Sequence, residues 1–198
     1  MSLVLGLTGG IATGKSSVSA IFRKYNFPVI DADLIARQIV EPNQPALNDL
    51  VAWLGKDILT TTGELNRKKL AELVFNKSEE LQKLNALLHP YIYQEMVKEI
   101  ATAKKDYPLV IIDVPLLIET EFKQLADEIM LVYIPESLQL QRLMKRDNLT
   151  ETAALKRISS QLSIEEKRTF ADFIVDNQGT LSETEAQVVD WLKAKYFL

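Results

Sequence analysis

The sequence predicts an α/β fold: a doubly wound parallel sheet of five strands with a helical insertion. Three observations predict it. Short apolar runs of strand length alternate with stretches of helical period. The first run opens directly into a glycine-rich turn followed by a helical stretch. The 198 residues, 47% hydrophobic and 25% charged, suffice for one α/β domain or a domain carrying a sizeable insertion.

Each element follows from its residues in turn. The run Leu3–Thr8 reads as a buried strand, and helical spacing begins at Ser17-Val18. A second strand is expected at Pro28–Asp31. From Asn43 to Lys105 the period is helical, with Trp53, Phe75, Leu84, Leu87 and Leu88 as its apolar residues; an insertion of this length between strands is expected to carry substrate recognition. Leu109–Asp113, Glu128–Ile134 and Phe173–Asp176 are the remaining strands, and Pro135 suits the first turn of the helix after the fourth. Ser163 with Glu166, and Ser182 with Glu185, have capping-box spacing and mark two helix starts.

Composition narrows the chemistry. Lys plus Arg number 23 against 27 Asp plus Glu, a net charge of −4, which argues against long nucleic acids or anionic membranes as partners and requires any anionic ligand to be held locally. The absence of cysteine excludes thiolate nucleophiles, disulfides and cysteine metal sites, and a single histidine, His89, excludes a multi-histidine site. The N-terminus lacks a basic region before its short apolar run, and the longest apolar runs are strand-sized. The expectation is therefore a cytoplasmic protein, and with no heptad or exposed apolar stripe, a monomer.

The strongest local pattern is Gly9-Gly10-Ile11-Ala12-Thr13-Gly14-Lys15-Ser16, which matches G-x-x-x-x-G-K-[ST] between a strand and a helix. Glycines let backbone N–H groups turn toward phosphate oxygens, the helix start adds a positive dipole end, Lys15 reaches the outer phosphates and Ser16 can ligate Mg²⁺. Gly10, Ile11, Ala12, Thr13, Gly14, Lys15, Ser16 and Ser17 are the candidate nucleotide-binding residues. A switch GTPase is disfavoured: Asp113-Val114-Pro115-Leu116 lacks the glycine of Asp-x-x-Gly, and Asn76-Lys77-Ser78-Glu79 ends in Glu where Asp is required. The length leaves little room for the accessory parts of a motor, so a small phosphotransferase is favoured.

Three carboxylates fall at strand ends. Asp31 and Asp33 flank Ala32 just past the second strand, sharing a face in extended backbone, where one could organise Mg²⁺ and the other accept a proton from an attacking hydroxyl; the alternative is that Asp33 caps the next helix. Asp113 resembles the acidic end of a Walker B strand, or else a turn aspartate. Arg142 and Arg146 are four apart on one helical face and Arg157 follows. Residues 141–168 hold seven Lys plus Arg against four Asp plus Glu. A lid bringing these guanidiniums over a phosphoryl group is one reading; a solvated face with pairs such as Arg146 with Asp147 and Glu151 is the other.

The ordered set Leu7-Thr8-Gly9-Gly10-Ile11, Asp31-Ala32-Asp33, Arg67 through Val74-Phe75, Leu88-His89-Pro90, Asp113-Val114-Pro115-Leu116-Leu117 with Glu119, Arg157-Ile158 with Gln161, and Ala171-Asp172-Phe173-Ile174-Val175 with Asn177 and Gly179 resembles the dephospho-CoA kinase family over nearly the whole chain. The resemblance implies a P-loop kinase fold as one domain, 1–198. Its nucleotide-binding core would be 1–34, 106–137 and 169–198, its helical substrate-binding insertion 35–105 and its lid 138–168. It implies ATP with Mg²⁺ and, as acceptor, the ribose 3′-hydroxyl of 3′-dephospho-CoA, giving coenzyme A and ADP. Asp33 then resembles the general base, Lys15 the phosphate ligand, Ser16 the metal ligand, and Arg142 and Arg146 lid groups near the phosphates. Asn177 and Gly179 resemble an adenine-contacting turn. Asp31, Asp33, Arg67, His89, Asp113, Pro115, Glu119, Arg157 and Gln161 fall in segments that would line the acceptor side, although His89 reads equally well as a helix-terminus histidine before Pro90. Ala12 stands where the family often has Gly, which leads us to expect a negative φ there. Asn66 replaces a common acid and Ile118 a common Phe. The alternatives are another small-molecule P-loop kinase, such as a nucleoside monophosphate kinase, and a non-catalytic ATP-binding sensor.

Overall fold

The computed structural model describes residues 2–74 and 77–198. Phe75 and Asn76, named above in the helical insertion and the GTPase comparison, lie outside the described residues. The chain divides into two compact units, one formed by Met1–Ile30 with Ile100–Leu198, the other by Asp31–Glu99.

The first unit is built on strands β1 (Leu3–Gly9), β2 (Val29–Asp31), β3 (Leu109–Asp113), β4 (Glu128–Tyr133) and β5 (Phe173–Asp176), in the sheet order β2-β3-β1-β4-β5. β1 pairs in parallel with β3 on one side and β4 on the other, and β4 with β5. Central position explains composition: β1 and β3 are buried along nearly their whole length and read as continuous apolar runs rather than alternating ones. The second strand starts one residue later than the sequence suggests. Pro28 has no N–H to give, but its carbonyl still accepts from Ile111 N at 3.0 Å.

Helix α1 (Lys15–Lys24) follows β1, and the last helix of the chain, Leu181–Ala194, covers the same face of the sheet. Val18, Ile21 and Phe22, spaced three and four apart, meet Val188, Trp191 and Leu192 over Leu5, Leu7, Ile111, Met130 and Val132. Burial of each of these large side chains contributes roughly 1.5–3 kcal/mol.

The second unit opens with α2 (Ala32–Gln38) and contains α3 (Pro45–Leu54), α4 (Arg67–Val74) and most of α5 (Ser78–Ala103). Val40, Ala46, Leu50, Ile58, Val74 and Leu84 form its core. The helical period of the insertion is thus borne out, with one addition: Leu59 and Leu65 form an antiparallel bridge around a turn at Gly63, φ +82°. Helix α5 continues through Pro90, so His89 is a mid-helix, half-buried residue and not a helix-terminus one.

Between β4 and β5 lie α6 (Glu136–Asp147), α7 (Glu151–Ile158) and α8 (Ile164–Arg168), with α9 being Leu181–Ala194. Pro135 is the residue before the first turn of α6, and Ser163 with Glu166 closes the expected capping box on α8. The second capping box is displaced. Thr180 and Glu183, not Ser182 and Glu185, make the reciprocal bonds at the start of α9. The reason is tertiary: the Glu185 carboxylate is taken by Lys24 on α1 and by Tyr25 Oη at 3.0 Å.

Candidate active site

The loop 10–14 joins central β1 to α1 at the carboxyl edge of the sheet, the edge where ligands bind in open α/β folds. Gly14 precedes α1 at φ +93° and no side chain caps the helix, leaving the N–H groups of Lys15 and Ser16 for an external acceptor. Thr13 closes the turn, donating from N and from Oγ1 to Gly10 O at 3.2 and 2.9 Å, and Ser17 N donates to Gly14 O at 2.9 Å. Ala12 has φ +62°, the reverse of the expected negative value. The chain must invert twice within five residues, and Ala12 supplies one of the two left-handed positions at a cost of about 1–2 kcal/mol. Its packing, with Ile11, against a small cluster of Leu143, Ala154 and Ile158 offsets part of that cost.

Lys15 Nζ donates to Asp113 Oδ1, and Ser19 Oγ, one turn further along α1, donates to Oδ2 of the same carboxylate. Asp113 is 4% exposed, so both oxygens of a buried charge are matched. The Ser16 hydroxyl is exposed on the first turn of α1.

Side chains from distant segments converge on the loop. Ile11 N donates to Gln161 Oε1 at 3.1 Å, so that N–H is already committed. Gln139 Nε2 donates to Ile11 O, and Asn177 Nδ2 to Thr13 O, each at 2.8 Å. Asn177 Oδ1 accepts from Thr184 Oγ1 at 2.7 Å, which commits the second end of its amide. Gly179 lies between Asn177 and the Thr180 cap.

Near the end of β1, Thr8 Oγ1 donates to Pro115 O at 3.1 Å, and Lys167 Nζ to the same carbonyl at 3.2 Å. Lys167 is fully buried and pairs with Glu119 Oε1 at 2.8 Å. Among the described residues, four of the seven basic side chains of the stretch 141–168 thus form ion pairs, Lys167 with Glu119 and Arg146, Arg157 and Arg168 with acids of the stretch itself. Arg146 and Arg157 both bind Asp147, at 2.8 and 2.7 Å, which is the paired-face reading with Asp147 rather than Glu151 as the acid. The Arg146 hydrogen bond, with help from the Arg157 charge, holds the Asp147 carboxyl below the usual carboxylate range. Arg142, one turn from Gln139 on the same helix, is half-buried, and its side chain makes no hydrogen bond or ion pair among the described residues.

The second unit carries the other candidates. Asp31, the last residue of β2, is the cap of α2: its Oδ1 accepts from Asp33 N at 2.9 Å and Leu34 N at 3.1 Å. Helical geometry starts at Ala32, so the two carboxylates do not continue one extended face, and the capping role expected of Asp33 belongs to Asp31. Asp33 is exposed on the first turn of α2. Arg67 begins α4, and its Nη2 donates to Arg37 O at 3.3 Å. Asn66 Oδ1 accepts from Lys69 N at 3.1 Å, a bond that asparagine makes as well as an acid would.

The first unit thus brings together the loop, Asp113, Pro115, Glu119, Gln161 and Asn177. Sequence reasoning missed Gln139, Ser19 and Lys167. A polar residue in the apolar register was the available signal: Gln139 is four before buried Leu143, and Lys167 three after buried Ile164.

Among the described residues no three His, Cys, Asp or Glu side chains cluster as a protein cage for a metal, and no helix is long and apolar enough to cross a membrane. Ser16 and Asp113 offer hard oxygens in the small number that suits Mg²⁺, an ion that keeps most of its coordination sphere for phosphate and water.

The family described as Dephospho-CoA kinase matches residues 3–183. A dephospho-CoA kinase of Enterococcus faecalis is 49% identical over 193 residues, 98% of this chain and 97% of that protein. Among solved structures, a dephospho-CoA kinase from Campylobacter jejuni superimposes with a TM-score of 0.70 at 30% identity, covering 98% of this chain and 97% of that one. A crystal structure from Thermus thermophilus gives 0.82, also at 30% identity and with the same coverage.

Proposed function

We infer the roles of individual residues from one premise: the chain belongs to the dephospho-CoA kinase family and catalyses the ATP-dependent phosphorylation of 3′-dephospho-CoA, the last step of coenzyme A biosynthesis. The acceptor oxygen is the ribose 3′-hydroxyl. Its attack forms a new O–P bond to the γ-phosphorus while the bridge to the β-phosphate breaks and ADP leaves. Asp33 accepts the hydroxyl proton as the oxygen attacks.

The observation that carries this assignment is the exposure of Asp33 on the first turn of α2, at a helix start that Asp31 caps. Inward backbone N–H groups of Ala12 and of residues 14–16 receive the phosphates of ATP. Lys15 exchanges Asp113 for outer phosphate oxygens, and Arg142 supplies a further cation from α6. When bound, Mg²⁺ neutralises charge on the phosphoryl oxygens; Ser16 would hold it, with Asp113 oriented by Ser19. Arg67, His89, Pro115, Glu119 and Arg157 are assigned to the acceptor side, supported by their place in the family's ordered motifs. The same ordering supports ascribing the nucleotide core to residues 1–34, 106–137 and 169–198, acceptor binding to 35–105 and the lid to 138–168.

Coupled detection of ADP with 3′-dephospho-CoA, AMP, CMP and shikimate as acceptors tests the reading. ADP formation with 3′-dephospho-CoA alone, and a product heavier by one phosphoryl group, is expected. Transfer to AMP or CMP instead would indicate a nucleotide kinase, and nucleotide binding without transfer to any acceptor would indicate a sensor.

A further inference from the structure

In a trans peptide the C=O of one residue and the N–H of the next point in opposite directions, so whatever holds a carbonyl also aims the following amide. An anion cradle depends on this. A carbonyl turned into it repels phosphate, and an N–H turned into it attracts. In the loop 10–14 three carbonyls that decide this are held by identifiable donors. Gly10 O takes two from Thr13. Ile11 O takes Gln139 Nε2, and Thr13 O takes Asn177 Nδ2.

We propose that Gln139 and Asn177 are positioning residues for phosphate binding: their amides hold the Ile11 and Thr13 carbonyls out of the cradle and thereby keep the N–H groups of Ala12 and Gly14 in it. The proposal rests on the reading that this loop receives the nucleotide phosphates. Four observations support it. Gln139 is 2% exposed, and its Oε1 has no hydrogen-bond partner among the described residues, so the donation to Ile11 O is kept although the other end of the amide is unmatched. The reverse orientation would set two oxygens against each other. Asn177, 9% exposed, has its orientation fixed by Thr184.

The glycines complete the picture. A Cβ on Gly10 would lie 2.5 Å from Gln139 Nε2, and one on Gly14 would overlap Asn177 Nδ2. These motif glycines leave room for the two amides as well as for phosphate. Finally, Gln139 grips the peptide that leads into Ala12, the non-glycine residue held at φ +62°. Strain of that kind persists only where surrounding bonds enforce it.

The test is titration calorimetry of the full chain with inorganic tripolyphosphate and with ADP, comparing wild type with the uncharged, donor-free variants Gln139→Met and Asn177→Leu. Each is expected to weaken both ligands to a similar degree, on the order of tenfold. In steady-state assays KM for ATP rises while KM for 3′-dephospho-CoA stays put. Adding Ala12→Gly to Gln139→Met recovers most of the loss, since glycine takes a positive φ unaided. Wild-type tripolyphosphate affinity in Gln139→Met would overturn the proposal. A loss confined to ADP would do the same, because it would make these side chains adenine contacts. Melting temperatures identify a variant that fails to fold, and the other variant then carries the test. A wild-type chain that binds tripolyphosphate but phosphorylates no 3′-dephospho-CoA would sink the functional reading and leave this one standing.

Discussion

Lys15 and Asp33 are the residues on which the proposed chemistry turns, and they fail differently when removed. Lys15→Ala is expected to weaken ATP binding and turnover together, because the side chain meets phosphate in both ground and transition states, and it leaves buried Asp113 without its cation. Unchanged nucleotide affinity would count against the phosphate-loop assignment. Asp33→Asn should keep nucleotide affinity and lower kcat by roughly two decades or more, the range of a positioned base. A near-wild-type kcat would remove Asp33 from that role. Lys167 belongs to stability: Lys167→Met leaves Glu119, which accepts from Leu162 N, without its counter-ion and Pro115 O without one of its two donors, and denaturant titration should register a loss of about 3 kcal/mol. Lys15 and Asp113 were legible because a motif spacing and a strand end marked them. Lys167 was marked only by its place three residues after Ile164 in the apolar register, a signal too weak to set a buried lysine apart from its exposed neighbours in a basic stretch.

Helix starts show where local sequence runs short at the scale of an element. Thr180-x-x-Glu183 and Ser182-x-x-Glu185 are overlapping, chemically equivalent caps, and the structure uses the first because Lys24 and Tyr25 on the opposing segment claim Glu185. Thr180→Ala should therefore cost about 1 kcal/mol, lowering Tm by about 2–4 °C, whereas Ser182→Ala should stay within about 0.5 kcal/mol. Equal effects in thermal melts would contradict the cap placement. The same competition decides α2: one carboxylate must satisfy the helix start, and because β2 ends in extended backbone at Asp31, that residue and not Asp33 can reach back to it. Proline, by contrast, misleads in α5, where Pro90 sits inside a continuous helix.

Over the whole molecule, charge sets the pH response. Glu99 titrates upward from the usual range, chiefly because burial disfavours its charged form and secondarily because Glu95 is near, with Lys98 opposing. The folded chain then holds this proton more tightly than the unfolded chain, so stability falls as pH rises from about 4.5 through the raised value. Glu99→Gln should melt above wild type at pH 7 and converge with it near pH 4; a constant difference across that range would show that Glu99 acts by packing. Asp147 has the opposite sign. Its carboxyl is depressed, so its tether to Arg146 and Arg157 is intact at neutral pH and is lost as pH falls below the ordinary carboxylate range. The sequence by itself determined the alternation of strands and helices, the helical insertion, the phosphate loop and its lysine, and the strand-end carboxylates, because each rests on periodicity or spacing within a few residues. Tertiary structure alone decided which cap is used, that Lys167 is buried against Glu119, that Asp147 gathers two arginines, and that Gln139, Gln161 and Asn177 hold the loop from 128, 150 and 164 residues away. Those outcomes depend on which chemically equivalent group the folded chain brings within hydrogen-bond reach, and no local spacing encodes that choice.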